Sequence, residues 1–293
     1  MKKLNSIAAA LVLITTGVLA DSRETRVTFS SEGQEVVGTL SVINGEPAPV
    51  ALLLHGFTGS RDELKSDAVK QGVFAYTAEK LAEAGFSSLR IDFRGSGESI
   101  ADKAFAETTF ESQVADGIAA IDYLKSLRSV DGEDLHIIGW SQGGLVATAV
   151  AGRTGAPDAV ALWAAVANPK STFGNLFGTE AMVSGIAATA DQTVDVKLPW
   201  GAEITLNGAF FDGLELFDPL AEIKEFDGPL FVAQGVNDTV VSPESADALI
   251  ATHVGPEQLW TAEMDHVFNV FATGDTLEAM VSATILFFEN HAD

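Results

Sequence analysis

Cysteine is absent from the 293-residue chain. Disulfide bonds are therefore excluded, and a stable fold has to rest on the hydrophobic core alone. A lipoprotein is excluded as well, because no cysteine is present to carry the lipid. A chain of this length can bury enough apolar surface for one large domain without covalent cross-links.

Basic residues are scarce: 17 lysines and arginines stand against 41 aspartates and glutamates, which gives a formal net charge of −24. Such an excess of negative charge disfavours nucleic acid and anionic membranes as partners. The acidic residues are scattered along the chain rather than gathered into a tail. They therefore indicate a solvated acidic surface.

The apolar run near the N-terminus is too short for a membrane anchor. It extends from Ile7 to Leu19 and follows two lysines, whereas a spanning helix needs about 20 apolar residues. Small residues end the run at Ala20, as at a cleavage site. We expect residues 1–20 to be a secretory signal peptide, so that the protein has no stable membrane anchor and is exported to the periplasm or the medium.

Apolar runs and helix-compatible segments alternate along most of the chain. The run Val50 to Leu54 is continuously apolar, which is typical of a strand buried on both faces. Arg26 to Ser31 and Glu35 to Val42 are expected to form a hairpin at the edge of the sheet. The pattern predicts an α/β fold whose mostly parallel central sheet is covered by helices on both faces.

The alternation breaks down in residues 166–225 and resumes afterwards. The predicted domain division is thus a core of residues 21–165 and 226–293 with an inserted subdomain of residues 166–225. So long a departure inside a compact α/β domain is typical of a functional lid. A small structural subdomain is the alternative, and a hairpin turning near Gly201 is expected within it.

A strand, a sharp turn and a helix are predicted around the motif Gly139-Trp140-Ser141-Gln142-Gly143-Gly144. The spacing is G-x-S-x-G, in which a serine at the apex of a strained turn needs neighbours without side chains two positions away. Bulkier residues at Gly139 or Gly143 would clash. The motif predicts that Ser141 is a nucleophile exposed above the sheet.

A serine nucleophile needs a histidine base, and the chain has five histidines. His136 is predicted inside the strand before Ser141, and His291 is in the C-terminal tail. His253 closes a predicted helix and is interpreted as a helix-end cation. His266 follows a predicted strand and is therefore assigned the role of base.

The base in turn needs a carboxylate that orients the imidazole and stabilises its cation. Asp238 follows the preceding strand at the same predicted edge. The order Ser141, Asp238, His266 is the order found in α/β-hydrolases. Asp265, adjacent to the base, stays an alternative for the acid.

Two backbone N–H groups are expected to bind the oxyanion of the tetrahedral intermediate. Gln142, the residue after the nucleophile, supplies one at the start of a helix. The loop that follows an early strand supplies the other, and here that amide belongs to Phe57. The neighbouring His55 is interpreted as a side chain that braces the loop.

The sequence resembles the α/β-hydrolase esterases, and among them the feruloyl (cinnamoyl) esterases. The resemblance spans most of the chain after residue 20 and rests on five stretches, namely His55 to Gly59, Asp92 to Ser99, Gly139 to Gly144, Asn237 to Pro243, and Asp265-His266. It implies an α/β-hydrolase fold with an inserted lid, a triad of Ser141, Asp238 and His266, and oxyanion donors at Phe57 and Gln142.

The chain departs from this family at two points. Ser96 stands where members often have a histidine, and the insert contains no tyrosine to hold a phenolic hydroxyl. The resemblance therefore supports a carboxylesterase more strongly than a feruloyl esterase. Aromatic residues of the insert are expected to fold over the Ser141 edge and line an acyl pocket, namely Phe173, Phe177, Trp200, Phe210 and Phe211.

The predicted activity is hydrolysis of a small-molecule ester with a short-to-medium acyl or aryl-acryloyl group. A secreted peptidase or amide hydrolase of the same fold and a non-catalytic binding protein are the alternatives. The serine and the lack of cysteine disfavour dehalogenases, epoxide hydrolases and dienelactone hydrolases, whose nucleophiles are aspartate or cysteine. No cofactor is expected, and no metal site is predicted because the histidines are dispersed. The residues do not indicate an oligomeric state.

Overall fold

The computed structural model describes residues 22–291. The predicted signal peptide, residues 1–20, lies outside this range. Ten strands are found within it: β1 (Ser22–Ser31), β2 (Gln34–Ile43), β3 (Pro49–Leu54), β4 (Ser87–Asp92), β5 (Asp131–Trp140), β6 (Ala159–Trp163), β7 (Thr193–Lys197), β8 (Glu203–Asn207), β9 (Leu230–Gly235) and β10 (Glu257–Ala262).

Eight α-helices accompany the strands in the described range. They are α1 (Val73–Glu83), α2 (Phe110–Ser126), α3 (Gln142–Thr154), α4 (Pro169–Ala187), α5 (Gly208–Leu216), α6 (Pro219–Lys224), α7 (Glu244–Thr252) and α8 (Asp275–Glu289), with a short 3₁₀ helix at Phe105–Glu107. Strand and helix alternate from β3 to α4 and again from β9 to α8, as the apolar runs of the sequence predict.

Eight of the strands form one sheet in the order β1-β2-β4-β3-β5-β6-β9-β10. The six strands from β4 to β10 in this order run parallel. The β1–β2 hairpin is antiparallel and lies at one edge of the sheet. The mostly parallel sheet and its edge hairpin are confirmed, and the carboxyl ends of β3, β5, β6, β9 and β10 therefore meet at one edge.

Helices cover both faces of the sheet, as predicted. Alternate residues of β3 point to opposite sides: Leu52 and Leu54 join one buried cluster, and Ala51 and Leu53 join the other. The first cluster packs against α2, α3 and α7, and the second packs against α1 and α8. Because both faces of β3 are buried, its sequence is a continuous apolar run.

Residues between β6 and β9 form α4, the β7–β8 hairpin, α5 and α6. The hairpin turns at Gly201, where φ is 89°, at the predicted position. Helix α4 is broken at Gly178, whose φ of 78° and ψ of 168° lie outside the helical region. A residue with a side chain would be strained in that conformation. The role of this segment as a lid stays a prediction.

Helix α2 begins one residue later than a capping-box spacing in its sequence indicates. Thr108 and Glu111 have the spacing of a capping box, but the cap is Thr109, whose Oγ1 accepts a hydrogen bond from the N–H of Ser112 at 3.1 Å. Both threonines can accept such a bond, so the sequence alone could not choose between them. Among residues 22–291, no helix combines the length and the hydropathy needed to cross a membrane.

Candidate active site

Ser141 lies in a strained turn between β5 and α3. Its φ of 54° and ψ of −115° are unfavourable for a residue with a side chain. The turn is held by the Ser141 N–H, which donates to the carbonyl of Trp163 at 2.9 Å, and by the Ser141 carbonyl, which accepts from Val166 at 3.2 Å. Strain that the surrounding structure maintains in this way is characteristic of functional positions.

The glycines around Ser141 are required by close backbone approach. A Cβ built on Gly139 would collide with the carbonyl oxygen of Gly143. A Cβ on Gly143 would collide with the carbonyl oxygen of Leu54, and one on Gly144 with the side chain of Ala165. The steric reason given for the G-x-S-x-G spacing is therefore confirmed by the packing of α3 against the strand ends.

The structure brings Ser141, His266 and Asp238 into one hydrogen-bonded chain. His266 Nε2 lies 3.0 Å from Ser141 Oγ, and His266 Nδ1 lies 2.8 Å from Asp238 Oδ2. A carboxylate can only accept, so Nδ1 carries the proton and Nε2 is free to accept the serine proton. This is the arrangement that a serine needs to become nucleophilic.

Asp238 is fixed by its own loop. Its Oδ1 accepts hydrogen bonds from the N–H groups of Val240 at 2.8 Å and Val241 at 2.9 Å. Its Oδ2, which faces His266, also accepts from the Gln234 amide at 3.2 Å. Four donors thus converge on a carboxylate that is almost fully buried, and they hold it where it can orient the histidine.

Asp265, the alternative acid, takes part in a different set of contacts. Its Oδ1 accepts from the N–H groups of Val267 at 3.1 Å and Asn269 at 2.8 Å, and it is exposed. These bonds stabilise the loop after β10 in the manner of an Asx turn. The geometry thus assigns the contact with the His266 ring to Asp238.

Phe57 lies in the loop after β3, and Gln142 lies at the start of α3 beside Ser141. Gln142 is the first residue of α3, so its N–H is one of the four that the helix cannot satisfy. Phe57 is in the turn after β3, which is closed by a hydrogen bond from the Gly59 N–H to the Gly56 carbonyl at 3.1 Å. Donors in these two positions can bind negative charge that develops beside Ser141.

His55 braces the β3 loop, as expected from the sequence. Its Nδ1 hydrogen-bonds the carbonyl of Gly56 at 2.8 Å, and its Nε2 accepts from the N–H of Phe93 at 3.1 Å. Burial lowers the pKa of His55, which keeps the ring neutral and able to make both contacts. The loops after β3 and β4 are therefore held together beneath the site.

The interpretation of His253 as a helix-end cation is wrong. It ends α7, but it is buried against Phe226. Burial lowers its pKa, because removal from water disfavours the charged form. The sequence could show its position at the helix end and could not show its burial.

Three aromatic side chains of the inserted segment contact the ring of Phe57, and a fourth packs behind them. Ring centroids lie 5.2 Å from Phe57 for Phe173, 5.7 Å for Phe177 and 5.7 Å for Phe210, and Phe211 packs behind Phe177 at 5.9 Å. All four are buried. They form a packed aromatic cluster, and the prediction that they line an open acyl pocket is not matched in this structure, because apolar rings bury against one another.

Trp200, the fifth aromatic residue predicted to line the pocket, is not part of the cluster. It lies in the turn between β7 and β8, and 58% of its surface is exposed. Its ring is therefore directed largely to solvent rather than packed among the rings around Phe57. Its assignment to the pocket is corrected.

A groove of about 690 Å³ runs beside Asp238. It is bounded by the start of α4, the junction of α5 and α6, and the loop leading into α7. The ion pair of Lys170 and Glu215, at 2.6 Å, lies on its rim. Among the described residues its lining includes Asp238 but neither Ser141 nor His266, so the groove borders the acid end of the hydrogen-bonded chain.

Two residues that position the site were not singled out from the sequence. Trp140 Nε1 donates to the carbonyl of His266 at 3.2 Å, and its ring lies 5.4 Å from the imidazole. Gln113, on α2, accepts from the side chain of Gln142 at 2.5 Å. Trp140 is inside the quoted motif, but nothing in the sequence indicates that a distant loop folds onto it.

No group of three or more histidine, aspartate or glutamate side chains is arranged to hold a metal ion within residues 22–291. The polar side chains around Ser141 instead contact one another directly, as described above. Their chemistry is that of a hydroxyl, an imidazole and a carboxylate in series.

Comparison with known proteins identifies the fold. A family model described as alpha/beta hydrolase fold matches residues 49–212. Among curated proteins, none matches the chain. The predicted fold class is confirmed by the family match and by the sheet.

Solved structures with a similar fold include enzymes from bacteria and a fungus. Est1E from Butyrivibrio proteoclasticus with ferulic acid bound has a TM-score of 0.74 and 22% identity, over 90% of this chain and 98% of that one. The esterase domain of a Rhodothermus marinus protein has a TM-score of 0.68 and 22% identity, over 92% and 99%. The α/β hydrolase GrgF from Penicillium has a TM-score of 0.73 and 15% identity, over 92% and 99%. At these identities the likeness concerns the fold.

Proposed function

Since the chain belongs to the α/β-hydrolase family, we propose that it is a serine carboxylesterase that works through an acyl-enzyme on Ser141. The observation that carries this proposal is the hydrogen-bonded chain of Ser141 Oγ, His266 and Asp238, with distances of 3.0 and 2.8 Å. The resemblance of the sequence to α/β-hydrolase esterases supports it, as does the fold shared with an esterase domain.

In the proposed reaction, Ser141 Oγ attacks the ester carbonyl while His266 Nε2 takes the hydroxyl proton. The Asp238 carboxylate stabilises the imidazolium that forms. The former carbonyl oxygen becomes an oxyanion, which the N–H groups of Phe57 and Gln142 bind. The carbon–oxygen bond to the alcohol then breaks, and the alcohol leaves with the proton from His266.

Hydrolysis of the acyl-enzyme repeats these steps with water as the nucleophile. His266 takes a proton from water, whose oxygen attacks the acyl carbon. The second tetrahedral intermediate collapses, Ser141 recovers its proton, and the carboxylic acid is released. This cycle requires no cofactor, because the three side chains, the ester and water account for every proton transferred and every bond formed or broken.

We propose short-to-medium acyl esters and aryl-acryloyl esters as the substrate class. The groove of about 690 Å³ beside Asp238 is within the usual range for small-molecule sites. The complex of Est1E with ferulic acid makes an aryl-acryloyl group worth testing. The insert of this chain has no tyrosine to hold a phenolic hydroxyl, so we expect simple acyl esters to be the better substrates.

The experiment is a comparison of wild type with Ser141→Ala on p-nitrophenyl acyl esters of increasing length, methyl ferulate and a peptide amide. Wild type should hydrolyse the esters, with kcat/KM rising by up to about fourfold for each methylene that fits. Ser141→Ala should lose about 10⁴-fold or more of the activity. Faster turnover of the amide than of any ester would favour a peptidase, and retention of more than a few per cent activity by folded Ser141→Ala would exclude Ser141 as the nucleophile.

Export is a separate proposal that rests on residues 1–20 alone. A signal peptide would be removed after Ala20. The mass of the protein recovered outside the cytoplasm of an expressing bacterium would then correspond to a chain beginning at Asp21. An uncleaved chain confined to the cytoplasm would contradict export.

A further inference from the structure

Glu63 is a buried carboxyl group without a role in the reaction as proposed. It lies in the loop between β3 and α1, and its side chain is almost fully buried. A carboxyl group in such a place is costly unless hydrogen bonds compensate for the lost water. The contacts of Glu63 therefore have to explain why the fold keeps it there.

The carboxyl group of Glu63 accepts a hydrogen bond from the N–H of Gly56 at 2.6 Å. Gly56 immediately precedes Phe57, the proposed oxyanion donor. Glu63 also fits closely under the rest of the turn, because a Cβ built on Gly59 would collide with its carboxyl oxygens. The carboxyl group thus fills the space beneath the whole turn from Gly56 to Gly59.

The other sides of Gly56 are held as well. A Cβ built on it would meet the ring of Trp140 at 2.9 Å. Its carbonyl oxygen accepts from the Gly59 N–H at 3.1 Å and hydrogen-bonds His55 Nδ1 at 2.8 Å. Glycine is the most flexible residue, so these contacts are needed to keep one conformation.

Peptide planarity connects these contacts to Phe57. The carbonyl of Gly56 and the N–H of Phe57 belong to one peptide unit and point in opposite directions. The direction of the Phe57 N–H is therefore set by the two torsions of Gly56. His55 and Gly59 hold the carbonyl side of that residue, and Glu63 holds its N–H side.

We propose that Glu63 is a positioning residue that holds Gly56, and through it the Phe57 N–H, in the direction that binds the oxyanion. This proposal rests on the proposed function, since it gives Phe57 a role in ester hydrolysis. Preorganised donors stabilise a transition state because they need no reorientation during the reaction. Loss of Glu63 should consequently lower kcat more than it changes KM.

The electrostatic surroundings agree with this role. Burial raises the pKa of Glu63 well above its ordinary value, and the nearby charge of Asp92 raises it further, against the hydrogen bonds from Gly56 and Leu64. A carboxyl group that is protonated more readily carries less negative charge beneath a site that has to stabilise an oxyanion. Arg61 pairs with Asp92 and reduces the field of that second carboxylate.

The test compares Glu63→Leu with Glu63→Gln on a p-nitrophenyl ester that wild type hydrolyses. Leucine is similar in size to glutamate but cannot accept a hydrogen bond from the Gly56 N–H. We expect kcat to fall about 10- to 100-fold and KM to change by less than about threefold. This loss is smaller than the loss expected when an oxyanion donor is removed completely. Glutamine keeps an acceptor, and we expect its kcat within about fivefold of wild type. Glu79→Leu, at an exposed position on α1, is the matched control and should leave kcat unchanged.

A second variant covers the case in which Glu63→Leu does not fold. Gly59→Ala keeps Glu63 in the sequence, but the added methyl group displaces the Glu63 carboxyl group from beneath the turn. This variant should also lower kcat with KM nearly constant. The proposal is overturned if folded Glu63→Leu keeps kcat within twofold of wild type, if the glutamine variant loses as much as the leucine variant, or if Gly59→Ala retains full kcat. Inactivity of wild type itself on every ester would instead refute the proposed function, so the two failures are distinguishable.

Discussion

His266 and His136 both pack against an aromatic ring, yet their surroundings give them opposite properties. His266 lies beside Trp140 at the sheet edge, is 12% exposed, and bridges Ser141 and Asp238. His136 lies inside β5, is stacked on Phe288 at 4.5 Å, and is fully buried. Burial, with a smaller contribution from His291, lowers the pKa of His136 to about 4.

An aromatic neighbour therefore does not distinguish the proposed base from a structural histidine. The two histidines differ in their access to solvent and in the hydrogen-bond partners of their ring nitrogens. A general base must exchange protons with substrate and water, and His266 can do so because it is at the open end of the strands. His136 is enclosed between α8 and Phe86. Asp134 Oδ1 lies 3.1 Å from its Nε2, but burial outweighs this contact and lowers the pKa of the ring.

The largest expected effect is a loss of kcat when the negative charge of Asp238, the partner of His266, is removed. Asp238→Asn should lower kcat about 10³- to 10⁴-fold, because an amide no longer stabilises the imidazolium and can favour the wrong tautomer. The protein should remain folded, since asparagine keeps the size of the side chain. Steady-state kinetics on a p-nitrophenyl ester measure the loss.

Asp265→Asn is the matched control for this substitution. The Asp265 carboxylate accepts from N–H groups of its own loop, whereas the His266 ring contacts Asp238, so we expect kcat within about threefold of wild type. Equal losses in the two variants, or a greater loss at Asp265, would move the acid to Asp265.

The second expected effect is on the free energy of unfolding at acidic pH, and it arises from His136. The unfolded chain protonates His136 near its ordinary pKa of 6.5, whereas the folded chain does so only near 4. His136 therefore contributes stability above pH 6.5 that is lost as the pH falls through the folded pKa, by up to about 3 kcal/mol. His136→Leu should lose correspondingly less stability between pH 7 and pH 4.

Urea unfolding of both proteins at several pH values measures this difference. The activity of His136→Leu at pH 7 should stay within about twofold of wild type, because His136 does not contact the reacting groups. The same loss of stability on acidification in both proteins would show that His136 is not the group that takes up the proton.

The smallest effect is expected from the ring beside His266. Trp140→Phe removes the hydrogen bond from Nε1 to the His266 carbonyl but keeps an aromatic ring under Gly56. A hydrogen bond of this kind contributes about 0.5 to 1.5 kcal/mol, so kcat should fall by up to about tenfold. Trp200→Phe, at the exposed hairpin turn, should have no effect on kcat, and an equal change in both variants would remove the special role of Trp140.

Local signals explain what the sequence could predict. Continuous apolar runs mark strands buried on both faces. Ser141 follows β5, Asp238 follows β9, and His266 follows the neighbouring edge strand β10. Because the strands are parallel, their carboxyl ends lie at one edge of the sheet, and residues that are distant in the sequence become neighbours there. The structure places the three side chains within hydrogen-bond distance.

Contacts between distant segments explain what the sequence could not predict. Composition indicated that the insert is aromatic, but not that Phe210 would be enclosed by other rings while Trp200 faces solvent. Glu63 carries no motif of its own, and its bond to Gly56 exists only because the chain reverses between β3 and α1. Thr108 and Thr109 are equally suitable caps until the backbone selects one.

The proposed reaction depends on acylation of Ser141. The most direct measurement is mass spectrometry of the intact enzyme and its peptides after treatment with a serine-directed phosphonate. We expect one phosphonyl group per chain, located on the peptide that contains Ser141, with activity lost in proportion and no labelling of Ser141→Ala. Labelling of another residue, or full activity in a protein phosphonylated at Ser141, would contradict the proposed reaction.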